Sequence, residues 1–401
     1  MSYYKIQQWF GFFKYKIDDI RISYKGLNII IQRTPKEKLV CPVCKSSKIR
    51  FYGAVPRVLR DLSISNRITH ILFHQNRIYC SQCGVHRERI SFADRHARHT
   101  RRFERFIFSL CHYMTISDVS RIFKLSWDEV KNIDMKYLGR RYKRPPFKNL
   151  RIIGVDEIAL KKGHTYLTIV VNLEKGEVIY VGKGRKQKTL ETFFYSLGPT
   201  RCRRIKAIAM DIWSPYISAA QNLLPKAKIV FDKFHILSSF GRVIDTIRRN
   251  EYTLALKEDR EIIKGSRYLL LKNKPDLSHN QKLHLAKLLS INFNLNLVYI
   301  LKDDLHQLWK YDDKEEAENH LNLWIQKALE TKIPVLRTFA ETLERYKNGI
   351  LNYYYYRITT AKVEGINNKI KVLKRKVYGF GDLVYFALKI FDLHNIEFGF
   401  V

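Results

Sequence analysis

Two sets of residues in this 401-residue chain have the types and spacing to do chemistry. The first is two pairs of thiols, Cys41-Pro42-Val43-Cys44 and Cys80-Ser81-Gln82-Cys83-Gly84. Each Cys-x-x-Cys turn presents two thiolates to one side, and two such turns complete a tetrahedron around Zn²⁺. Four thiolates leave no open coordination position, so such an ion would be structural. Gly84 suits the turn of the second pair. His86 could replace a ligand, although its neighbours read it into a basic patch. Cys111 and Cys202 lie on apolar faces and read as packing residues.

The second set is acidic. Asp156 lies in Gly154-Val155-Asp156-Glu157, inside an apolar run, and Asp211 closes another, Ala207-Ile208-Ala209-Met210-Asp211. A carboxylate at such a place is costly to bury unless a cation compensates it. If the two runs are neighbouring strands, both carboxylates enter one pocket. A third carboxylate, from a helix, completes a site for two divalent metals about 3.5–4 Å apart. One would activate an attacking oxygen, the other stabilise the leaving oxygen of a phosphodiester. Glu364 is the best third ligand, on a helix face shared with Asn367, Asn368, Lys371 and Arg375. Alternation along the strand turns Glu157 away from Asp156. Asp232 and His235, in Asp232-Lys233-Phe234-His235, are possible accessory residues; the plainer reading is a strand-end cap and a structural histidine.

The elements that must position these groups follow from periodicity. Residues 1–98 read as short strands around the cysteine pairs, including Ile20–Tyr24, Leu27–Ile31, Ile68–Phe73 and Arg77–Tyr79. Residues 99–139 switch to helical spacing, with Ser117–Phe123 as a short helix and Ser126-Trp127-Asp128-Glu129 as a capping box. A tight turn at Lys124-Leu125 makes this a helix-turn-helix. Residues 140–150 are a basic linker broken by Pro145-Pro146. Then come three strands, Ile152–Leu160, Tyr166–Leu173 and Glu177–Gly182, with turns at Gly163 and Glu174-Lys175-Gly176. Helix, strand, helix and strand follow, ending at Asp232. That core occupies residues 151–235 and 357–401, and residues 236–356 form an α-helical insertion. Within 357–401, Val363, Ile366, Ile370, Leu373 and Val377 make the apolar stripe of an amphipathic helix.

The chain carries 73 Lys and Arg against 38 Asp and Glu, a formal charge of +35. Charge on that scale answers a polyanion, and nucleic acid is the first candidate. Arg98, Arg101, Arg102, Arg140, Arg141, Lys143 and Arg144 are expected to track phosphates, and Ser126 and Lys131 to open a recognition helix. Asn367, Lys371 and Arg375 would continue the contact beside the acids. The apolar stretch Trp9–Phe13 is too short to span a bilayer, and nothing resembles a secretory leader. The expectation is a cytoplasmic, nucleoid-associated protein of a bacterium, without a membrane partner.

Taken in order, the cysteine knuckles, the helix-turn-helix, Ile153-Gly154-Val155-Asp156-Glu157, Met210-Asp211, Phe231–His235 and Lys362-Val363-Glu364-Gly365-Ile366-Asn367-Asn368 resemble the ISL-three family of insertion-sequence transposases. The resemblance runs along nearly the whole chain. It implies a ribonuclease-H-like core, as does the element order, and a catalytic triad of Asp156, Asp211 and Glu364. It implies Mg²⁺- (or Mn²⁺-) dependent cleavage and strand transfer of double-stranded DNA. It also implies recognition of terminal inverted repeats by the N-terminal half. Two DNA ends must be joined, so a dimer or larger assembly is expected. Two other functions compete: a DNA-binding regulator with an inactive core, and a structure-specific nuclease on the same fold.

Overall fold

The computed structural model describes residues 11–12, 14–24, 26–34, 38–143, 147, 149–161, 165–376 and 381–394. Arg144, Pro145-Pro146, Gly163, Val377 and most of Trp9–Phe13 lie outside them. The chain divides into two compact units that part between residues 143 and 144.

The first unit begins with a five-stranded sheet: β1 (Tyr15–Ser23), β2 (Gly26–Arg33), β3 (Ile49–Ile64), β4 (Arg67–Cys80) and β5 (Gly84–Arg87). The strand order is β1-β2-β4-β3, with β5 on β4. The long β3–β4 hairpin turns at Ser65 and Asn66, whose φ angles of 49° and 61° match the twist that a two-residue hairpin loop requires. One face buries Phe12, Tyr15, Phe73 and Phe92, whose rings meet edge to face at 5.0–5.8 Å.

Three helices follow: α1 (Arg101–Tyr113), α2 (Ile116–Phe123) and α3 (Trp127–Arg141). The expected capping box at Ser126 and Glu129 is present, and Thr115 with Asp118 makes a second one at α2. Lys124, at φ +50°, closes α2 in the left-handed region and gives the tight turn before Ser126. Val119, Leu125, Val130 and Ile133 are buried.

The second unit is built on the sheet β6 (Ile152–Lys161), β7 (Thr165–Asn172), β8 (Glu177–Lys183), β9 (Ala207–Met210) and β10 (Lys228–Phe231). Its order is β10-β9-β6-β7-β8. Strands β6, β7 and β8 run antiparallel, whereas β9 and β10 run parallel to β6. Helices α4 (Gln187–Leu197), α5 (Pro199–Cys202) and α6 (Ser214–Leu223) make the connections. The sequence placed these elements within a few residues, except for the short α5, which it did not foresee.

The helical stretch starts with α7 (Lys233–Leu254). It continues through α8 (Lys257–Ile263), α9 (Arg267–Leu271), α10 (His279–Ile291) and α11 (Phe293–Gln307). It ends with α12 (Lys314–Glu330), α13 (Pro334–Leu351) and α14 (Tyr353–Tyr356). These helices share one continuous apolar core with the sheet, from Leu150 and Ile208 to Trp324 and Leu351. Gly349 lets α13 lie against the ring of Phe231, where any Cβ would clash, and Asn352 Nδ2 donates to the Ile229 carbonyl at 2.8 Å. The stretch is therefore fused to the β10 edge.

Last come α15 (Ala361–Lys376) and α16 (Leu383–Phe391). Val363, Ile366 and Ile370 are buried, each contributing about 1.5–3 kcal/mol by leaving water. A Cβ on Gly154 would come within 2.7 Å of Val363, so the glycine lets α15 approach β6 closely. No helix among the described residues is long and apolar enough to cross a membrane.

Candidate active site and cysteine cluster

Strand register brings the acids together. Gly154 pairs with Ala209 across β6 and β9, so Asp156 and Asp211 lie two steps further on along neighbouring parallel strands. Met210 pairs with Phe231, and the Asp232 N–H donates to the Met210 carbonyl at 3.3 Å, so Asp232 stands beside Asp211. Asp211 and Asp232 thus follow the carboxyl ends of β9 and β10, where ligands bind in open sheets, and Asp156 stands level with them midway along β6.

Each acid has a distinct partner. The amide of Asn367, on α15, donates to Asp156 Oδ2, and the backbone N–H of Glu157 donates to Asp156 Oδ1 at 2.6 Å. His235 Nδ1 lies 2.8 Å from Asp211 Oδ2. Asp232 caps α7 by accepting from the Phe234 N–H at 3.2 Å, and the Thr360 hydroxyl donates to its other oxygen. Asp211, Asp232 and His235 present ligand atoms that all lie within 4.8 Å of one another. The sequence ranked Asp232 and His235 as accessory; register and helix start place them against Asp211.

Glu364 is exposed and stands on α15. Thr360 and Asn367 precede and follow it by four and three residues, one helix face. Those two residues touch Asp232 and Asp156, but the carboxylate cluster brought within ligand distance among the described residues is Asp211, Asp232 and His235, and Glu364 and Asp156 are not among them. Asn367 itself is buried, with its amide on Asp156, and not in the exposed row with Lys371 and Arg375 that the sequence suggested. Thr360 was missed, although its position one turn before Glu364 could have signalled it. Glu157 takes a different partner from Asp156, Arg185, at 3.2 Å. The guanidinium of Arg185 lies over the rings of Tyr166 and Trp213.

The electrostatics fit a cation. Burial, reinforced by the charge of Asp211, pushes the Asp156 carboxyl up to about 6 despite the Glu157 N–H bond. Its hydrogen bond to Asp211 raises His235 above the ordinary imidazole value. Asn367 Oδ1 is buried without a hydrogen-bond partner. A cluster of acids short of positive charge, with an orphaned amide oxygen beside it, suits divalent metal.

The cysteine cluster is built from turns. Ile49 pairs with Cys80 across β3 and β4, and Cys80 pairs with Gly84 across β4 and β5. The first knuckle folds back through Lys45 N–H to the Cys41 carbonyl at 3.0 Å and Cys41 N–H to the Ser46 carbonyl at 2.9 Å. All four sulfurs lie within 4.8 Å of one another, so the four cysteines could bind zinc. Burial opposes ionisation of the Cys41 thiol, but the N–H groups of Cys44 and Val43 bring it down to about 6. The hydrogen bond to Cys44 pushes Cys83 up to about 12. Thiolates crowded in this way are the donor set of a tetrahedral dication. His86 is no part of the cluster: its Nε2 lies 2.7 Å from the Cys83 carbonyl. Cys111 and Cys202 are buried.

The expected phosphate contacts divide. Arg98 and Lys143 are exposed, as are Lys371 and Arg375. Ser126 caps α3, and Lys131 lies 5.6 Å from the ring centre of the exposed Trp127. Arg102 is turned inward on the fully buried Asp61. Arg101 and Arg140 pair with Asp94 at 2.8 and 2.5 Å, and Arg141 lies over the ring of Phe108. These last four guanidinia have intramolecular work: Arg102 neutralises Asp61, Arg101 and Arg140 share Asp94 with Lys136, and Arg141 packs on a ring.

Against known proteins, residues 153–390 match a family described as transposase, the DDE type of ISL3. Residues 88–138 match the helix-turn-helix domain of transposase family ISL3. The chain is 37% identical over 371 residues to the transposase for insertion sequence element IS1001 of Bordetella parapertussis, covering 91% of each. It is 27% identical over 383 residues to the transposase for insertion sequence element IS1557 of Mycobacterium tuberculosis, covering 88% of this chain and 86% of that one.

Proposed function

This chain belongs to the ISL3 family of insertion-sequence transposases, and on that premise we propose that it binds the terminal inverted repeats of its element and cuts and joins DNA with Asp156, Asp211 and Glu364. The family implies divalent metal use, and the helix-turn-helix implies DNA binding. The observation that carries the finer reading is the alignment of Asp156, Asp211 and Asp232 on three adjacent strands, touched through Thr360 and Asn367 by the segment that bears Glu364. The strand order β10-β9-β6-β7-β8, with three antiparallel strands and two parallel ones, supports a ribonuclease-H-like core. The helices from α7 to α14 are then its insertion domain. The N-terminal β module holds Zn²⁺ through Cys41, Cys44, Cys80 and Cys83.

Asp156, Asp211 and Glu364 would hold Mg²⁺ or Mn²⁺, two ions per site, with Asp232 and His235 beside Asp211. When bound, such ions neutralise developing phosphoryl charge and lower the pKa of a coordinated oxygen nucleophile. The protein's own groups hold the donors still. Asn367 fixes Asp156, His235 fixes Asp211, and Thr360 fixes Asp232. In the first reaction water attacks the phosphorus at the element end, and the bond to the 3′ oxygen breaks. A 3′-hydroxyl and a 5′-phosphate result. In the second, that hydroxyl attacks a target phosphodiester, and a target 3′-hydroxyl leaves. No bond to the enzyme forms at either stage. Two ends must meet, so the active species is a dimer or larger.

The test is Asp156→Asn, Asp211→Asn and Glu364→Gln, assayed for metal-dependent nicking of an end-containing duplex. Each should abolish nicking and keep end binding; full activity in any one removes that residue from the site. Cutting without joining in a strand-transfer assay would make the protein a nuclease instead.

A further inference from the structure

The first unit contains a cavity of about 480 Å³ between the cysteine knuckles and the start of the helix-turn-helix. Six arginines and two acids line it. Both acids are already neutralised by other cations. Glu88 is buried, bonded to Arg33 and to the hydroxyl of Tyr15. Asp94 is held by Arg101, Lys136 and Arg140, which also keep its carboxyl well below the usual range against the cost of burial. Arg57 spends its donors on Gln75 Oε1 and the Ala97 carbonyl.

Arg87, Arg89 and Arg95 remain. All three are exposed on the cavity wall, and none has an ion-pair partner among the described residues. The surrounding charge works against them. Arg87 lies directly opposite Arg77 across β4 and β5, a like-charge pair that costs stability unless an anion comes between. Burial and the charge of Arg87 together lower the Arg57 guanidinium below its ordinary value. The loop that carries Arg95 is nonetheless fixed: Arg101 N–H donates to the Phe92 carbonyl at 2.7 Å and Arg101 Nη1 to the Ser91 carbonyl at 2.8 Å. Beyond the cavity, Arg77 lies 5.1 Å from the ring centre of the exposed Tyr52. A concave wall with unneutralised, planar guanidinia, continued by a basic and aromatic strip, suits a polyanion better than a single carboxylate.

We propose that this cleft is a phosphate-binding site for DNA, in which Arg87, Arg89 and Arg95 take backbone phosphates of the strand engaged by the helix-turn-helix. It rests on the transposase reading and moves the phosphate contacts from Arg101, Arg102 and Arg140, which serve the fold, to three arginines that do not. Contact to the backbone anchors the unit without reading sequence.

The full chain carrying Arg87→Gln, Arg89→Gln and Arg95→Gln tests this, with fluorescence anisotropy on a terminal-repeat duplex and a random duplex from 50 to 200 mM salt. Each phosphate contact contributes roughly 0.9 to the slope of log affinity against log salt. The triple variant should lose about 2 to 3 from that slope on both duplexes, and roughly tenfold or more in affinity at the higher salt. The matching triple Lys variant should keep most of the slope. Arg89→Gln alone, the mildest change, should lose about 1. Wild-type slope in the triple variant overturns the cleft and leaves the transposase reading standing. Lost affinity with an unchanged slope also overturns it, because the arginines would then act on the fold. A wild-type protein with no salt-dependent DNA binding would sink both.

Discussion

The cysteine cluster and the acid cluster both gather metal-ligating groups, but they are assembled in opposite ways. The sulfurs come from two knuckles, and the β3–β4 hairpin alone brings the knuckles together. The acids come from three strands and face a helix far along the chain, and no local turn supplies any of them. The first cluster is a staple for its own unit; the second is a load that its unit carries. Asp156 carries that load as a half-buried carboxyl, pushed up to about 6 chiefly by desolvation. Removing a staple should cost stability, and removing a load should cost only function.

The largest effect should come from Cys41→Ser or Cys80→Ser, or from a strong zinc chelator. Structural zinc in small domains contributes on the order of 10 kcal/mol to folding. The first unit should then become protease-sensitive and DNA binding should disappear, while the second unit keeps its helical signal. Resistance of the first unit to both treatments would make the thiols mere packing residues.

Next in size are the acids. Asp156→Asn and Asp211→Asn should lower nicking at least about 100-fold, the scale of losing a charge-stabilising group in a closed site. The melting temperature of Asp156→Asn should hold or rise, since the buried charge is gone. A marked fall would mean that Asp156 serves the fold. The residues that fix the acids come below them. Asn367→Leu and Thr360→Val should each cost about 10–100-fold in apparent metal affinity, the usual scale for outer-shell partners. A titration of activity against Mg²⁺ reads this, and an unchanged midpoint would remove them from that role. Asp232→Asn set beside Glu364→Gln then asks which carboxylate completes the set.

Within the first unit, Arg102→Ala separates fold from binding. It strands the fully buried Asp61, and leaving a buried charge unpaired costs about 3–5 kcal/mol. Thermal unfolding should shift accordingly, while the salt slope of DNA binding stays as in the wild type. A reduced slope would restore Arg102 as a phosphate contact.

The smallest effect concerns pH. Lys136, Arg140 and Arg101 win over burial and hold the Asp94 carboxyl below its ordinary value of 3.8. Its folded-state pKa is thus depressed, so its contribution is complete above that value and is lost as pH falls through and below it. Asp94→Asn should flatten the acid limb of the stability curve of the first unit. An unaltered limb would show that these pairings contribute nothing net.

Much of this molecule is legible in the chain because its signals are local. The cysteine spacing, the Ser126 capping box, Asp156 inside its strand, the strand ends at Asp211 and Asp232, and the stripe of Val363, Ile366 and Ile370 depend on neighbours a few residues away. Charge was legible as a total and not as a distribution. Arg98 and Arg102 read alike in sequence, yet one is exposed and the other sits on Asp61, because a buried carboxylate takes whichever cation the fold brings.

The sequence by itself determined the order of the main elements, the four-cysteine cluster and the large excess of positive charge. Only tertiary structure decided that β9 lies between β6 and β10, which sets Asp211 between Asp156 and Asp232. It also decided that Thr360 and Asn367 reach two of those acids, and that the helices from Lys233 to Tyr356 share the sheet's core. These are long-range pairings, fixed by strand register and by complementary apolar faces. No short window of sequence contains both partners.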